Sequence, residues 1–319
     1  MGAVILSIDA ELGWGHHDME DPPSKRVEAG RPGWSRLVEL LNRFGVPATW
    51  AVVGHLFLKE CDGYHDDHPA PADWFERERE QWQSRPDIRF GPELIEALIN
   101  GPVDHDIGSH TFSHVEFDER ETGRDLARAE IEASIRVAND FSVDFESFVF
   151  PRNIVGHRDL LAEYGFRCYR GRSPVSRGDS SIPRPLLRLL RGSLISDELL
   201  LVEPTIDEHG LVNVPASMFL YSFEGTIRDV FEPILGDLTV KQAKRGIDQA
   251  ARRDGVFHMW LHPNNLHREY TIERLRRVLS YLSKRRSAGD VSVKTMADIA
   301  RQTRSTEAPV VNRGSRNDT

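Results

Sequence analysis

Two histidines, His110 and His114, stand four residues apart in the segment Asp106-Ile-Gly-Ser-His-Thr-Phe-Ser-His114. On one helical turn that spacing puts both imidazoles on the same face, where they can share one divalent metal ion. Thirteen histidines make chance pairs common, but this pair directly follows a strand-like run. A third ligand is available near the N-terminus, where Asp9 and Glu11 end the apolar run in Ser7-Ile-Asp-Ala-Glu11. Carboxylates at the end of a buried strand are costly unless they are paired or coordinated. Two histidines plus one carboxylate, with a position left open, is a catalytic rather than a structural ligand set. The residues alone leave open which of Asp9 and Glu11 binds the metal.

Two further strand-like runs end in polar residues. Phe148-Val-Phe-Pro-Arg-Asn153 carries Arg152, which could orient a carboxylate through a bidentate contact and taken alone reads as a surface ion pair. Phe257-His-Met-Trp-Leu-His262 carries His262 at its end, suited to act as a general acid toward a leaving amine. His258, inside the same run, reads as a core histidine. Asp9, Glu11, His110, His114, Arg152 and His262 thus fall at the same end of successive strands, and in a parallel barrel those ends converge on one face.

The elements that must hold these residues alternate regularly. Strand-like runs cover residues 4–8, 48–53, 106–109, 147–150, 166–169, 211–214 and 256–261. Most are continuously apolar, as strands buried on both faces are. Helical periodicity covers 34–44, 92–99, 124–139, 240–253 and 271–286, with Gly45 as a stop after the first. The alternation predicts an α/β fold, a distorted or incomplete (β/α) barrel of about seven parallel strands, with an open doubly wound sheet as the alternative. A single domain is expected over 1–304. Polar, aromatic residues 55–90 read as an insertion over one end of the barrel, with Trp74 and Trp82 either stacking on a ligand or packing as a small satellite core. Residues 173–208 read as a second excursion and 305–319 as a disordered tail.

The composition is that of a soluble globular chain of 319 residues. A net charge of −9 argues against nucleic acid as a partner, since that would favour a basic footprint. The N-terminal apolar run is too short for a signal peptide or a membrane span, so no stable membrane insertion is expected. With only two cysteines there is no disulfide framework, and a cytoplasmic location is expected.

These segments resemble the polysaccharide deacetylase family, the NodB-homology carbohydrate esterases. Ser7–Glu11 is similar to its first motif, Ser109-His-Thr-Phe-Ser-His114 to its metal-binding second, Phe150-Pro-Arg-Asn153 to its third and Trp260-Leu-His-Pro263 to its fifth, in the family's order along residues 4–299. The resemblance implies a divalent metal, most often Zn2+, and hydrolysis of an N-acetyl or occasionally O-acetyl group on a sugar. By position it makes Asp9 the general base, Glu11, His110 and His114 the metal ligands, Arg152 the residue that orients Asp9, and His262 the general acid. The first motif departs from the family's adjacent aspartates, because Ala10 separates Asp9 from Glu11. Arg152 follows Pro151 instead of preceding it. The surrounding sequence suggests a branch acting on a small N-acylated sugar, a sugar nucleotide or a lipid-linked glycan in surface-polysaccharide assembly. The rival readings are a deformylase or other hydrolase of a non-peptide C–N bond on the same metal site, and an inactive sugar-binding module. A glycosidase using Asp9 and Glu11 is disfavoured, because its carboxylates must straddle a bond.

Overall fold

The computed structural model describes residues 1–172, 200–222, 232–233 and 236–307. In chain order its elements begin with β1 (Gly2–Ala10), α1 (Ser24–Phe44), β2 (Thr49–Val52), α2 (Glu76–Arg79), α3 (Pro86–Arg89), α4 (Pro92–Ile99) and β3 (Asp106–Ser109). They continue with α5 (Arg124–Asn139), β4 (Ser147–Val149), α6 (Arg158–Glu163), β5 (Cys168–Arg170), β6 (Thr205–Ile206), β7 (Val212–Asn213) and β8 (Met218–Phe219). The last are α7 (Leu238–Arg253), β9 (Val256–Leu261), α8 (Glu269–Ser287), β10 (Val291–Lys294) and α9 (Met296–Glu307).

All nine residues of β1 are buried, as its continuous apolar run predicts for a strand covered on both sides. The amphipathic helices lay their apolar stripes on the outside of the sheet; α7, for example, buries Val240, Ala243, Ile247 and Ala250. Gly45 ends α1 in the left-handed conformation at φ 58°, which a glycine adopts without steric cost.

Among the described residues the strands form one ten-stranded sheet in the order β6-β7-β5-β4-β3-β2-β1-β9-β8, with β10 also paired to β1. Among the strands of the described residues, only β6 and β7 pair antiparallel. β10 and β2 pair with successive halves of β1, Gly2–Ile5 and Ser7–Ala10, and β9 pairs with its other edge. The sheet is open and strongly curled, an incomplete (β/α) barrel. A flat sheet would hold β1 and β5 about 19 Å apart, four strand spacings of about 4.8 Å, yet side chains of the two strands touch inside the curl.

Side chains alternate across the pleat, and the inward row of β1 is Ala3, Ile5, Ser7 and Asp9. Its first half is apolar and joins Ala51, Val149, Cys168 and Val212 in an interior cluster closed by Met296, Ile299 and Ala300 of α9. Its second half is polar. The same gradient runs along β5 from Cys168 to Arg170. One end of the half-barrel is therefore plugged with apolar side chains, and the other collects charge.

Residues 55–90, expected as an insertion, carry the two short helices α2 and α3. Trp82 packs with Val27 and Ile88 in a small satellite core. Trp74 lies against the ring of His17 and donates from Nε1 to Ser113 Oγ at 2.9 Å. Both tryptophans pack against protein, and neither lines the cleft at the charged end. Most of the expected excursion at 173–208 lies outside the described residues, though it includes β6. Helix α9 runs on to Glu307, so residues 305–307 are helical, which corrects the expected start of the tail. Residues 308–319 lie outside the described residues.

Candidate metal centre

The charged end carries the residues that the sequence singles out. Asp9 is the penultimate residue of β1 and Glu11 directly follows that strand, while His110 follows β3 and His262 follows β9. Glu11 Oε1 lies 3.1 Å from His110 Nε2 and 3.3 Å from His114 Nε2. Glu11 and both histidines are buried. Ligands about 2.0–2.1 Å from a tetrahedral zinc ion are about 3.3–3.4 Å from one another, so these separations suit three ligands of one ion. His110 Nδ1 lies 2.7 Å from the Val149 carbonyl, a contact that fixes the ring and leaves Nε2 for the metal. The chemistry of the donor set and its spacing both fit a divalent metal.

The two histidines reach this arrangement without a helix. The segment after β3 is an irregular loop with Thr111 at φ 63° and His114 at φ 66°, which corrects the expectation of a shared helical face. Positive φ is uncommon outside glycine, and such residues persist only where their surroundings hold them. Here the holder is Glu130, buried on α5. Its Oε2 accepts from the Phe112 and Ser113 backbone N–H groups at 2.8 Å each, and its Oε1 accepts from Ser113 Oγ at 2.5 Å. On the other side, Gly15 lets the Glu11 carboxylate press against the backbone, since a Cβ there would overlap Glu11 Oε2.

Asp9 is held differently. Arg170, at the end of β5, donates to Asp9 Oδ1 at 2.6 Å and to Oδ2 at 2.7 Å, a bidentate pair sealed from solvent. The guanidinium also contacts Ser7 Oγ at 3.1 Å and Asn153 Oδ1 at 3.0 Å and lies over the Trp260 ring. Burial alone would raise the Asp9 carboxyl, but the Arg170 charge and hydrogen bonds outweigh it and hold the group below its ordinary value. Burial likewise opposes ionisation of Glu11, and the surrounding His262, His110 and His114 reverse that and hold it well below the usual range.

Arg152 is not the partner of Asp9. Its left-handed backbone (φ 50°) turns the side chain to the rim, where it pairs with Asp18 Oδ1 at 2.7 Å and with Glu116. Arg170 takes the orienting position instead. The sequence signal for it is a cation directly after the strand-like run 166–169, the same strand-end logic that picks out the other residues. His262 is half-buried, its Nε2 3.8 Å from Asp9 Oδ2 and 3.6 Å from Glu11 Oε1. His258 is a buried interior histidine, as expected, with Nδ1 3.0 Å from the Pro215 carbonyl and Nε2 2.8 Å from Ser7 Oγ.

These groups open into a cleft of about 230 Å³ whose lining includes Asp9, Glu11, Arg26, His114, Trp260 and His262. A carboxylate between two imidazoles, a second carboxylate clamped by arginine, and a histidine facing both make an arrangement suited to metal-assisted hydrolysis.

No protein-family model and no curated protein sequence matches the chain. Solved structures do. A Mycobacterium smegmatis protein described as a polysaccharide deacetylase superposes with a TM-score of 0.61 at 17% identity, covering 95% of this chain and 90% of that one. A Pseudomonas aeruginosa PAO1 protein of the same description gives 0.60 at 16% identity, covering 96% and 92%. The Puue allantoinase gives 0.56 at 14% identity, covering 96% and 91%. The chain therefore has the fold of the polysaccharide deacetylases, as the resemblance of its motifs implies.

Proposed function

We propose that this chain is a metal-dependent hydrolase of the polysaccharide deacetylase kind, removing an N-acetyl or other acyl group from a sugar during surface-polysaccharide or glycoconjugate assembly. The observation that carries this reading is the Glu11 carboxylate seated 3.1 and 3.3 Å from the His110 and His114 nitrogens, with a second, arginine-clamped carboxylate beside it.

Glu11, His110 and His114 would hold the ion, and Zn2+ suits their nitrogen and carboxylate donors. Bound there, it would polarise the acyl carbonyl and bring the pKa of a water toward about 7. Asp9, ionised and fixed by Arg170, accepts the proton of the attacking water. His262 gives a proton to the departing sugar nitrogen as the C–N bond breaks. Arg170 is thus a positioning residue for Asp9, and Arg152 acts at the rim.

The cleft formed by the described residues is below the roughly 300–1,000 Å³ of drug-sized pockets, so it suits an acyl group and the ring that bears it. Arg26 at its mouth offers a positive charge to a phosphate, in keeping with a sugar nucleotide or lipid-linked sugar. β10 and α9 pack back on β1 and the sheet interior, which supports one catalytic domain. Cys61 and Cys168 form no disulfide, in keeping with a cytoplasmic location. No helix among the described residues is long and apolar enough to cross a membrane. The likeness to an allantoinase favours, as the second reading, a small non-sugar C–N substrate on the same site.

Acetate release from free, nucleotide-linked and lipid-linked N-acetyl sugars tests the proposal. The expected result is acetate and free amine in equal amounts, lost in His110→Ala and His114→Ala. Turnover of cyclic or linear non-sugar amides, with none of any N-acyl sugar, would replace it with the second reading.

A further inference from the structure

The insertion brings together a second set of metal-ligating side chains, separate from the centre described above: His55, Cys61, His65 and Glu78, whose candidate ligand atoms all lie within 4.8 Å of one another. His55 Nε2 and His65 Nε2 are 3.3 Å apart. Glu78 Oε2 lies 3.1 Å from His65 Nε2 and 3.4 Å from His55 Nε2. Cys61 Sγ lies 3.5 Å from His65 Nε2. Around a tetrahedral zinc ion, bonds of about 2.0–2.1 Å to nitrogen and oxygen give edges of about 3.3–3.4 Å, and a bond of about 2.3 Å to sulfur gives a nitrogen–sulfur edge of about 3.5–3.6 Å. Four edges of such a tetrahedron are met, and the other two, from Cys61 to His55 and to Glu78, are within 4.8 Å.

We propose that His55, Cys61, His65 and Glu78 form a structural zinc site that ties the insertion to the half-barrel. Four protein ligands leave no open position, which is the mark of a structural rather than a catalytic site. The ligands are also oriented from behind. His55 Nδ1 faces the Phe112 carbonyl at 3.3 Å. Glu78 Oε1 accepts from Arg89 Nη2 at 2.7 Å, which leaves Oε2 for the ion. Cys61 Sγ accepts from the Gly63 backbone N–H at 3.3 Å. Such supports fix tautomer and ligand direction in metal sites. The competing arrangement is a hydrogen-bonded hub in which Glu78 accepts from both imidazoles. It requires His55, whose Nδ1 already faces a carbonyl, to be doubly protonated in a fully buried position next to a second ring N–H. Zinc removes that difficulty and takes up Cys61 as a thiolate, its proton passing to solvent.

The position explains what such a site does. The His55 ring packs against Trp14, 4.0 Å between centroids, and Phe112, at 4.2 Å. Trp14 belongs to the loop that follows Glu11, and Phe112 lies between His110 and His114. Trp14 and the preceding Gly13 are also bonded to the carbonyls of Arg89 and Ile88 in the insertion. The second site therefore braces the two loops that carry the ligands of the first.

Metal analysis and cobalt(II) substitution of the full chain test this, and they are independent of the proposed activity. The zinc-loaded wild type is expected to hold two equivalents of zinc. Cobalt(II) should give a thiolate-to-cobalt charge-transfer band, which the sulfur-free site at Glu11, His110 and His114 cannot produce. Cys61→Ser and His65→Ala should each lose one equivalent, with the band abolished in Cys61→Ser, whereas His114→Ala should lose the other equivalent and keep the band. A wild type that binds one equivalent and shows no sulfur-to-cobalt band would overturn the proposal and leave the hydrogen-bonded hub.

Discussion

Asp9 receives both guanidinium nitrogens of Arg170 where water does not reach, and this pair sets the protonation state of the proposed base. Burial raises the carboxyl and Arg170 more than reverses it. The pair's contribution to stability is therefore present above the unfolded carboxylate value of about 3.9 and is lost as pH falls through the lower folded value. Asp9→Asn is expected to lower kcat by about 10²–10⁴-fold, the usual worth of a positioned acid or base, with metal content unchanged. Arg170→Gln leaves the buried carboxylate without its cation, so its pKa rises. The acid limb of kcat/KM then moves to higher pH, and a pH–rate profile reads this shift directly. Arg170 is within reach of the sequence, because it ends a strand-like run as Asp9 and His262 do. Arg152 is favoured by its motif position, but a left-handed turn at that residue sends its side chain to the rim, and no spacing rule shows such a turn.

The loop after β3 is where local periodicity fails and chemistry does not. His110 and His114 meet one carboxylate through two residues of positive φ, held in place by Glu130 from α5. That support lies sixteen residues beyond the second histidine in the chain, by the numbering of the sequence, and nothing local in the segment points to it. Glu130→Ala would leave two buried N–H groups unpaired, at about 1–3 kcal/mol each. It is expected to lower the thermal midpoint and weaken metal binding about 10–100-fold, measured by calorimetric titration with zinc. The seven runs expected as strands all belong to the sheet, because continuous burial leaves a strong apolar signature. β6, β8 and β10 escape a sequence reading, since each carries partly exposed positions and lacks the continuously buried pattern of β1.

Across the whole molecule, an apolar plug at one end of a curled sheet and charge at the other put the proposed catalytic groups where the strand ends converge. The barrel class is legible from the alternation of strands and helices, but the open edges and the contact between β1 and β5 arise from curvature, which no residue pattern specifies. A buried and a half-buried histidine, His258 and His105, make the fold sensitive to acid. Burial holds His258 at about 3 and His105 at about 4, against 6.5 for an ordinary histidine. The unfolded chain takes up these protons and the folded chain resists them. Stability is therefore full above pH of about 6.5 and is lost as pH falls toward those lower values. At pH of about 5 the two residues together should account for uptake of about two protons on unfolding, read from the slope of unfolding free energy against pH.

In the proposed reaction, hydrolysis depends on a metal held by Glu11, His110 and His114. The most direct test of that dependence is acetate release from an N-acetylated sugar by the same preparation before metal removal, after removal, and after zinc is restored. Activity is expected to disappear with the metal and to return with zinc in the wild type, and not to return in His114→Ala. Full activity in the metal-free protein would contradict it.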